Sequence, residues 1–175
     1  MAERFDFNLD PVTFITVGAH GPPGERTFYL QAAQRRQVVS LVIEKEHAVG
    51  LSINLLRLIQ ELEAHDPDLV TDLNPTQGNM ALIEPVETTF RVDNIGIGVD
   101  EDRHRVIVIA GELVDEASRP RRARFVATYQ QILHLAHRAA DVVQQGRPTC
   151  LLCGEPIAAD GHFCPPRNGH PRPSG

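Results

Sequence analysis

The chain of 175 residues has no tryptophan, aromatic side chains at only 5% of its positions, and three cysteines. Cys150, Cys153 and Cys164 all lie close to the C-terminus. A disulfide-stabilised fold would distribute an even number of cysteines along the chain. The odd count and its clustering therefore argue against a disulfide framework and favour metal or redox chemistry at one end of the protein.

The sequence also lacks any stretch of the roughly 18 apolar residues that a transmembrane helix needs. Glu3, Arg4 and Asp6 interrupt its first residues, and no apolar segment follows them as it would in a secretory signal. From these two features we expect a cytoplasmic protein that does not associate with membranes.

Positive charge is scarce as well, because 17 lysines and arginines stand against 23 acidic residues, for a formal net charge of −6. Nucleic-acid binding depends on lysine and arginine side chains that neutralise phosphates. The charge therefore argues against a nucleic-acid partner.

The common catalytic motifs are missing too. The sequence contains neither a Gly-x-x-x-x-Gly-Lys-Ser phosphate loop nor a Gly-x-Ser-x-Gly nucleophile motif. Since no nucleophile, base and phosphate-binding group converge in the pattern, the sequence favours a non-catalytic protein over an enzyme.

Apolar residues follow the two-residue period of strands in two regions, and each region leads into a stretch with helical period. Strands are predicted near residues 4–7, 13–17, 27–30, 38–43, 88–92, 95–99, 105–110 and 123–127. Helices are predicted from about residue 45 to 64 and from Thr128 to Gln145. This order predicts an α+β fold with a largely antiparallel sheet and two helices packed on one face.

The two regions resemble each other as strand-strand-helix patterns. Placing residues 41–43 over residues 125–127 also aligns Leu51 with Leu135. Duplication of one unit explains this match, and so does the apolar rhythm of any strand that runs into a helix. The sequence leaves both explanations open.

The composition changes after the second helix, where glycine and proline become frequent. We therefore predict an α+β body of residues 1–146 and a Cys/His tail of residues 147–175. If the body arose by duplication, its halves are residues 1–64 and 85–146.

The tail has too few apolar residues to form a hydrophobic core of its own. It contains Cys150-Leu151-Leu152-Cys153-Gly154 and then His162-Phe163-Cys164-Pro165. The two thiolates of Cys-x-x-Cys-Gly can bind one Zn²⁺ from a tight turn, and Cys164 supplies a third sulfur. The spacing therefore predicts a zinc-ribbon-like tail that a structural metal ion stabilises.

The fourth zinc ligand is His162 or His170. His162 and Cys164 share a face if they lie on a strand, whereas five residues separate Cys164 from His170, which is also a workable spacing. We favour His162, because it lies closer to the first two cysteines and does not require an ordered C-terminus.

Two alternatives to a closed zinc site stay open. If only the three cysteines bind the metal, an open position on the ion would support catalysis. If no metal binds, Cys150 and Cys153 become candidate redox residues. The redox interpretation is weaker, because Gly154-Glu155-Pro156 does not begin the helix that a thioredoxin-like pair precedes.

Several segments together resemble a known family. They are the stretch Gly-Glu-Arg-Thr-Phe-Tyr-Leu-Gln at residues 24–31, the strand-helix junction at Glu44-Lys45, the hinge Gly146-Arg147-Pro148, and the pattern Cys-x-x-Cys-Gly…Gly-His-x-Cys-Pro-x-x-Asn-Gly. The chain resembles a bacterial family catalogued as domain of unknown function 3090, over nearly its full length. The family often has an aromatic residue after Asn-Gly, where this chain has His170, so the resemblance also favours His162 as the ligand.

The resemblance implies no established activity. Members of the family belong to a recurring set with a kinase-like and a histidine-phosphatase-like protein. The resemblance thus implies a shared process and a protein partner, namely one of those two proteins, although this chain carries neither signature.

A basic run at residues 119–124 is the other candidate site. Arg121, Arg122 and Arg124 could bind an anion or an acidic partner, although a run of this kind is also typical of a solvated loop that enters a strand.

Two functional hypotheses follow. The first is a non-catalytic binding or adaptor protein whose zinc-stabilised tail docks on the body or on a partner. The second is an enzyme or enzyme subunit that acts on a phosphorylated or nucleotide-like ligand through the arginine run. The absence of an assembled catalytic group favours the first, and the sequence leaves the process and the oligomeric state open.

Overall fold

A computed structural model of the chain describes residues 2–22, 24–69, 78–145, 150–155, 157 and 161–164. The strands are β1 (Phe7–Leu9), β2 (Phe14–His20), β3 (Thr27–Gln34), β4 (Gln37–Ile43), β5 (Thr88–Asp100), β6 (Arg105–Glu112) and β7 (Arg122–Thr128). The helices are α1 (Lys45–His65) and α2 (Tyr129–Gln144). The junction between the predicted body and tail, residues 146–149, lies outside the described residues, so that boundary stays a prediction.

The strands form one seven-stranded sheet in the order β1-β7-β6-β5-β4-β3-β2. Neighbouring strands are antiparallel except in two pairs, β1 with β7 and β4 with β5, which are parallel. The prediction of an α+β fold with a largely antiparallel sheet and two helices is confirmed.

The two ends of the sheet meet at the junction of β1 and β2. The backbone N–H of Val12 donates to the Val126 carbonyl of β7, and the N–H of Thr13 donates to the Ala33 carbonyl of β3, both at 2.8 Å. These two bonds extend the pairing of β1 with β7 and of β2 with β3. Residues 10–13 thus join the two edge strands of the sheet, β1 and β2, by a short connection.

The hydrophobic core lies between the inner face of this sheet and the two helices, which also pack on each other. Its largest fully buried side chains include Phe125, Leu9, Leu30, Leu41, Leu55, Ile59, Ile132 and Leu135. Each helix contributes the apolar stripe that its 3.6-residue period predicts. Among the described residues, no helix is both long and apolar enough to cross a membrane.

Strand pairing repeats between two halves of the body, of which the first comprises β1 to α1 and the second comprises β5 to α2. β4 and β7 both run directly into a helix, and each pairs in parallel with the first strand of the other half, β5 and β1 respectively. β3 lies between β2 and β4 in the same way as β6 lies between β5 and β7. That the halves arose by duplication stays a prediction.

The two helices also begin in the same way. The backbone N–H of the N-cap residue Glu44 donates to Nδ1 of His47, and the N–H of Thr128 donates to Oε1 of Gln131, at 3.1 and 2.9 Å. In both cases the side chain of the third helical residue accepts a hydrogen bond from the backbone N–H of the N-cap residue, as in a capping box. Thr128 Oγ1 also accepts from the N–H of Gln131 at 3.1 Å, which completes the capping box at α2.

The second half departs from the prediction in one respect. The sequence predicts two strands at residues 88–92 and 95–99, which was wrong, because β5 is continuous over Thr88–Asp100. The register with β6 shifts between Val92 and Asn94. A β-bulge thus accommodates the polar pair Asp93-Asn94 without a turn.

Candidate metal centre

The Cys-x-x-Cys-Gly segment folds into a tight turn. The N–H of Gly154 donates to the Cys150 carbonyl and the N–H of Cys150 donates to the Glu155 carbonyl, both at 2.8 Å. Gly154 has a φ of +73°, a left-handed conformation that other residues adopt only with strain. The glycine after the second cysteine therefore lets the chain turn back so that both sulfurs face the same point.

Four side chains of the tail converge at that point. The ligand atoms of Cys150, Cys153, His162 and Cys164 all lie within 4.8 Å of one another. Sγ of Cys150 is 3.7 Å from Sγ of Cys164, and Sγ of Cys153 is 3.3 Å from Nε2 of His162. These four residues could hold a metal ion.

Two of the distances between the ligand atoms are close to those of a tetrahedral site. With metal–sulfur bonds of about 2.3 Å, two thiolates of a tetrahedral zinc site lie about 3.8 Å apart, and a sulfur and an imidazole nitrogen about 3.5 Å apart. The sulfur–sulfur distance of 3.7 Å and the sulfur–nitrogen distance of 3.3 Å are close to these values. Since the other pairs of ligand atoms also lie within 4.8 Å, the residues present fit a metal ion.

Local hydrogen bonds prepare one cysteine to ionise. The backbone N–H groups of Cys153 and Leu152 point to the sulfur of Cys150 and lower the pKa of its thiol to about 6. The N–H of Glu155 acts in the same direction on Cys153, but burial and the neighbouring sulfurs of Cys150 and Cys164 raise its pKa overall. Binding a metal would then release protons, since thiolates are the ligands.

The predicted site residues are thus distributed as follows. Cys150, Cys153, His162 and Cys164 lie together, and Cys164 is the most buried of them, with 2% of its surface exposed. His170 lies outside the described residues. Cys150 and Cys153 lie in a turn and not at the start of a helix, so they lack the setting of a thioredoxin-like pair.

The sequence was compared with models of known protein families, and one of them matches. A family model described as a protein of unknown function, DUF3090, matches residues 7–164. The chain belongs to the DUF3090 family. No curated protein and no solved structure matches it. The matched span in this DUF3090 chain runs from the first residue of β1 to Cys164, so it includes all four clustered side chains.

The arginine run of the DUF3090 chain is bound to carboxylates. Arg121 donates to both oxygens of Glu112, at 2.6 and 2.8 Å, and to the Thr89 carbonyl at 3.0 Å. Its guanidinium also lies over the ring of Phe90, 5.4 Å from the centroid. Arg121, the residue before β7, therefore links the start of β7 to β5 and β6.

The other two candidate arginines have acidic neighbours as well. Arg122 lies 3.4 Å from Glu3, and Arg124 donates to Asn8 at 3.1 Å and to Asp10 at 3.2 Å. All three arginines predicted as an anion patch thus contact acids, and two of them hold the N-terminal segment against β7. This arrangement accounts for the run without an external anion.

Asp10 is a central residue of this network that the sequence does not reveal. Arg103 donates to both of its carboxylate oxygens, at 2.7 and 3.0 Å, and Arg124 adds a third hydrogen bond. The bond from Arg103 has the largest effect, and together these contacts lower the pKa of Asp10 below its ordinary value of 3.8. The partners are separated by 93 and 114 residues, so no local spacing could indicate them.

The network predicts a pH-dependent contribution to stability. Because its pKa is lower in the folded chain, ionised Asp10 stabilises the fold above pH 3.8, and this contribution is lost as the pH falls through the folded-state value. We expect Asp10→Asn to lower the melting temperature at pH 7, with a difference that shrinks in acid. Thermal unfolding of both chains between pH 3 and pH 7 measures this difference in melting temperature. Asp115→Asn, at an exposed position, is the control, and a difference that persists unchanged at pH 3 would contradict an ionic origin.

Proposed function

We propose that this DUF3090 protein is a non-catalytic adaptor whose tail is folded by a structural Zn²⁺ and binds a protein partner. The observation that carries the proposal is the closed set of four donor atoms within 4.8 Å. The sequence of the tail cannot supply a hydrophobic core, so a bound ion provides the energy that holds the turn and the His-x-Cys segment together.

The chemistry of the donors favours zinc. Three thiolates and one imidazole form a soft ligand set, and tetrahedral sites of this composition select zinc. Mg²⁺ and Ca²⁺ prefer oxygen ligands, of which this cluster has none. Zinc in such a site would fix His162 and Cys164 against the first turn.

The closed coordination favours a structural role. Catalytic zinc sites keep one position for water or substrate, with three protein ligands, whereas four protein ligands fill the tetrahedron. Four donors are present in this cluster. The zinc would therefore stabilise the tail and leave no position on the ion for a reactive water.

The surface of the tail favours protein binding. Leu151, Leu152 and Phe163 have 101%, 61% and 54% of their surface exposed. Leu151 and Leu152 lie between the first two ligands, and Phe163 lies between His162 and Cys164. Apolar side chains held outward on a rigid, metal-bound turn form a compact docking surface. Its partner is a protein with an apolar site, and the kinase-like or the histidine-phosphatase-like protein of the same recurring set is our candidate.

A binding titration tests the proposal. The zinc-loaded chain is titrated with each of these two proteins by isothermal calorimetry, and we expect one of them to bind. The double variant Leu152→Asp/Phe163→Asp should weaken that binding by tenfold or more, since central apolar contacts dominate interface energies. Native mass spectrometry verifies that this variant keeps its zinc.

Leu113→Asp is the matched control, because Leu113 is also apolar and 54% exposed but belongs to the body. It should bind as the wild type does. Binding that Leu113→Asp abolishes and the tail variant leaves intact would move the docking surface to the body. Turnover of a phosphorylated ligand by the isolated chain would replace the adaptor with an enzyme.

A further inference from the structure

The outer face of the sheet in the first half is covered by residues 78–84, which we call the strap. Thr16 Oγ1 donates to the Met80 carbonyl at 2.6 Å. Gln31 donates to the Ile83 carbonyl at 3.2 Å and accepts from the Ile83 N–H at 2.7 Å. Thr16 and Gln31 are fully buried, so the strap provides the hydrogen-bond partners that buried polar side chains require.

The strap also places an apolar side chain on the sheet. Leu82 packs directly on Gly18, where a Cβ atom would clash with the leucine side chain. Nε2 of His20 lies 2.9 Å from Oε1 of Glu84 beside this contact. In the first half, a glycine on the outer face of the hairpin thus receives an aliphatic side chain.

The hairpin of β5 and β6 in the second half corresponds to the hairpin of β2 and β3. Counting back from the last pair of each hairpin matches the outward-facing residues one to one. The corresponding pairs are His20–Thr27 with Asp100–Arg105, Gly18–Tyr29 with Gly98–Ile107, and Thr16–Gln31 with Gly96–Ile109.

In the second half this face is open above the two glycines of β5, whereas Val126, the neighbour of Ile107 on β7, is fully buried. A Cβ atom at Gly96 or Gly98 would meet no atom within 4 Å. Ile107 and Ile109 are half-buried and alternate with the core residues of β6, so they lie on the outer face. The polar pair of the first half is replaced by glycine and isoleucine, which need no hydrogen-bond partner and leave part of their apolar surface exposed.

This face is complementary to itself. The two isoleucines form a ridge along β6, and the two glycines form a groove of equal length along β5, directly beside it. Consider a twofold axis that lies above the outer face, parallel to the strands and midway between β5 and β6. It would place β6 of one copy over β5 of the other. Each ridge would then enter the opposite groove, since a two-fold interface joins the same patch of both subunits.

The charges at the end of the hairpin obey the same symmetry. Asp100 lies on β5 next in the row after Gly98, and its cross-strand neighbour is Arg105 on β6. The same rotation places Asp100 of one copy opposite Arg105 of the other, twice per dimer. Within one copy, Asp100 accepts from the Arg103 N–H at 3.1 Å, and Arg105 donates to the carbonyls of Arg103 and His104 at 3.0 Å. The charges are thus compatible with this arrangement, and the shape of the face selects it.

We propose that the chain forms a twofold homodimer through the outer face of β5 and β6, with Ile107 and Ile109 of each copy filling the groove above Gly98 and Gly96 of the other. The inference does not depend on the metal centre or on the function of the tail. The second copy performs for the second half what the strap performs for the first.

Sedimentation velocity over about 1 to 100 µM tests this dimer, because that range brackets a micromolar dissociation constant. We expect the wild type to form a dimer. Gly98→Lys fills the groove and Ile109→Lys removes part of the ridge, so each should raise the dissociation constant at least tenfold. Gly98→Lys should leave the fold intact, because a side chain at Gly98 has open space. Circular dichroism verifies that both variants are folded.

Ile53→Lys is the matched control, since Ile53 on α1 is 51% exposed and lies away from this face. It should dimerise as the wild type does, and so should the double variant Leu152→Asp/Phe163→Asp of the tail. A wild type that is monomeric throughout the range overturns the proposal. So does a dimer that Gly98→Lys and Ile109→Lys leave equally stable.

Discussion

Purified without added metal, the wild-type chain is expected to carry one tightly bound Zn²⁺, and the Cys153→Ser chain none. Removing one thiolate leaves a three-ligand site in which the fourth position is a hydroxyl, a poor ligand for zinc. Structural zinc sites of this class contribute about 10 to 16 kcal/mol of apparent binding free energy at pH 7. Loss of one of four ligands should therefore abolish tight binding, and native mass spectrometry reads the result as a loss of the zinc mass.

The body should remain folded in the same variant. The described core lies in the strands and helices of the body, and none of its cluster residues belongs to the tail. Leu152→Ser is the matched control, because Leu152 lies beside Cys153 and is 61% exposed. It should keep the metal. A wild type without metal would contradict the zinc site and restore Cys150 and Cys153 as redox candidates.

The fourth ligand is decided by the same measurement. His162→Asn should lose or greatly weaken zinc binding, because Nε2 of His162 lies 3.3 Å from the sulfur of Cys153. His170→Asn should bind zinc as the wild type does. The opposite result would assign His170, the alternative that the sequence spacing leaves open.

The cluster could be predicted because its chemistry is local. Cys150, Cys153, His162 and Cys164 occupy a short stretch of chain, and the turn that joins the first two needs the left-handed conformation of the adjacent Gly154. Short spacings restrict the geometry so strongly that residue types and their separation indicate the site. The helices and most strands were predictable for the same reason, since each is defined by a period of two or 3.6 residues.

The contacts that the sequence did not reveal join distant residues. Asp10 meets Arg103 across 93 residues, and Gln31 meets Ile83 across 52. Acidic and basic side chains are common on any surface, so a single sequence does not indicate which of them pair. The arginine run illustrates the consequence: its positive charge is evident, whereas the carboxylates that neutralise it lie elsewhere in the chain.

Truncation of the core should destabilise both halves together. We expect Phe125→Ala to lower the free energy of unfolding by about 3 to 5 kcal/mol and Leu41→Ala by about 2 to 5 kcal/mol, the range for fully buried side chains. Both residues are 0% exposed and occupy matching positions on β7 and β4. Urea unfolding followed by circular dichroism measures the loss, and Ile53→Ala at an exposed position should stay within about 0.5 kcal/mol of the wild type.

Each variant should still unfold in a single transition. β4 pairs with β5 and β7 pairs with β1, so each half completes its sheet with a strand of the other. The helices of the two halves also pack on each other within one core. A half that loses its core side chain therefore removes pairing partners from its neighbour, and unfolding is cooperative. If Phe125→Ala instead unfolded in two steps, with the first half still folded after the first step, the halves would be independent domains in spite of the sheet that they share.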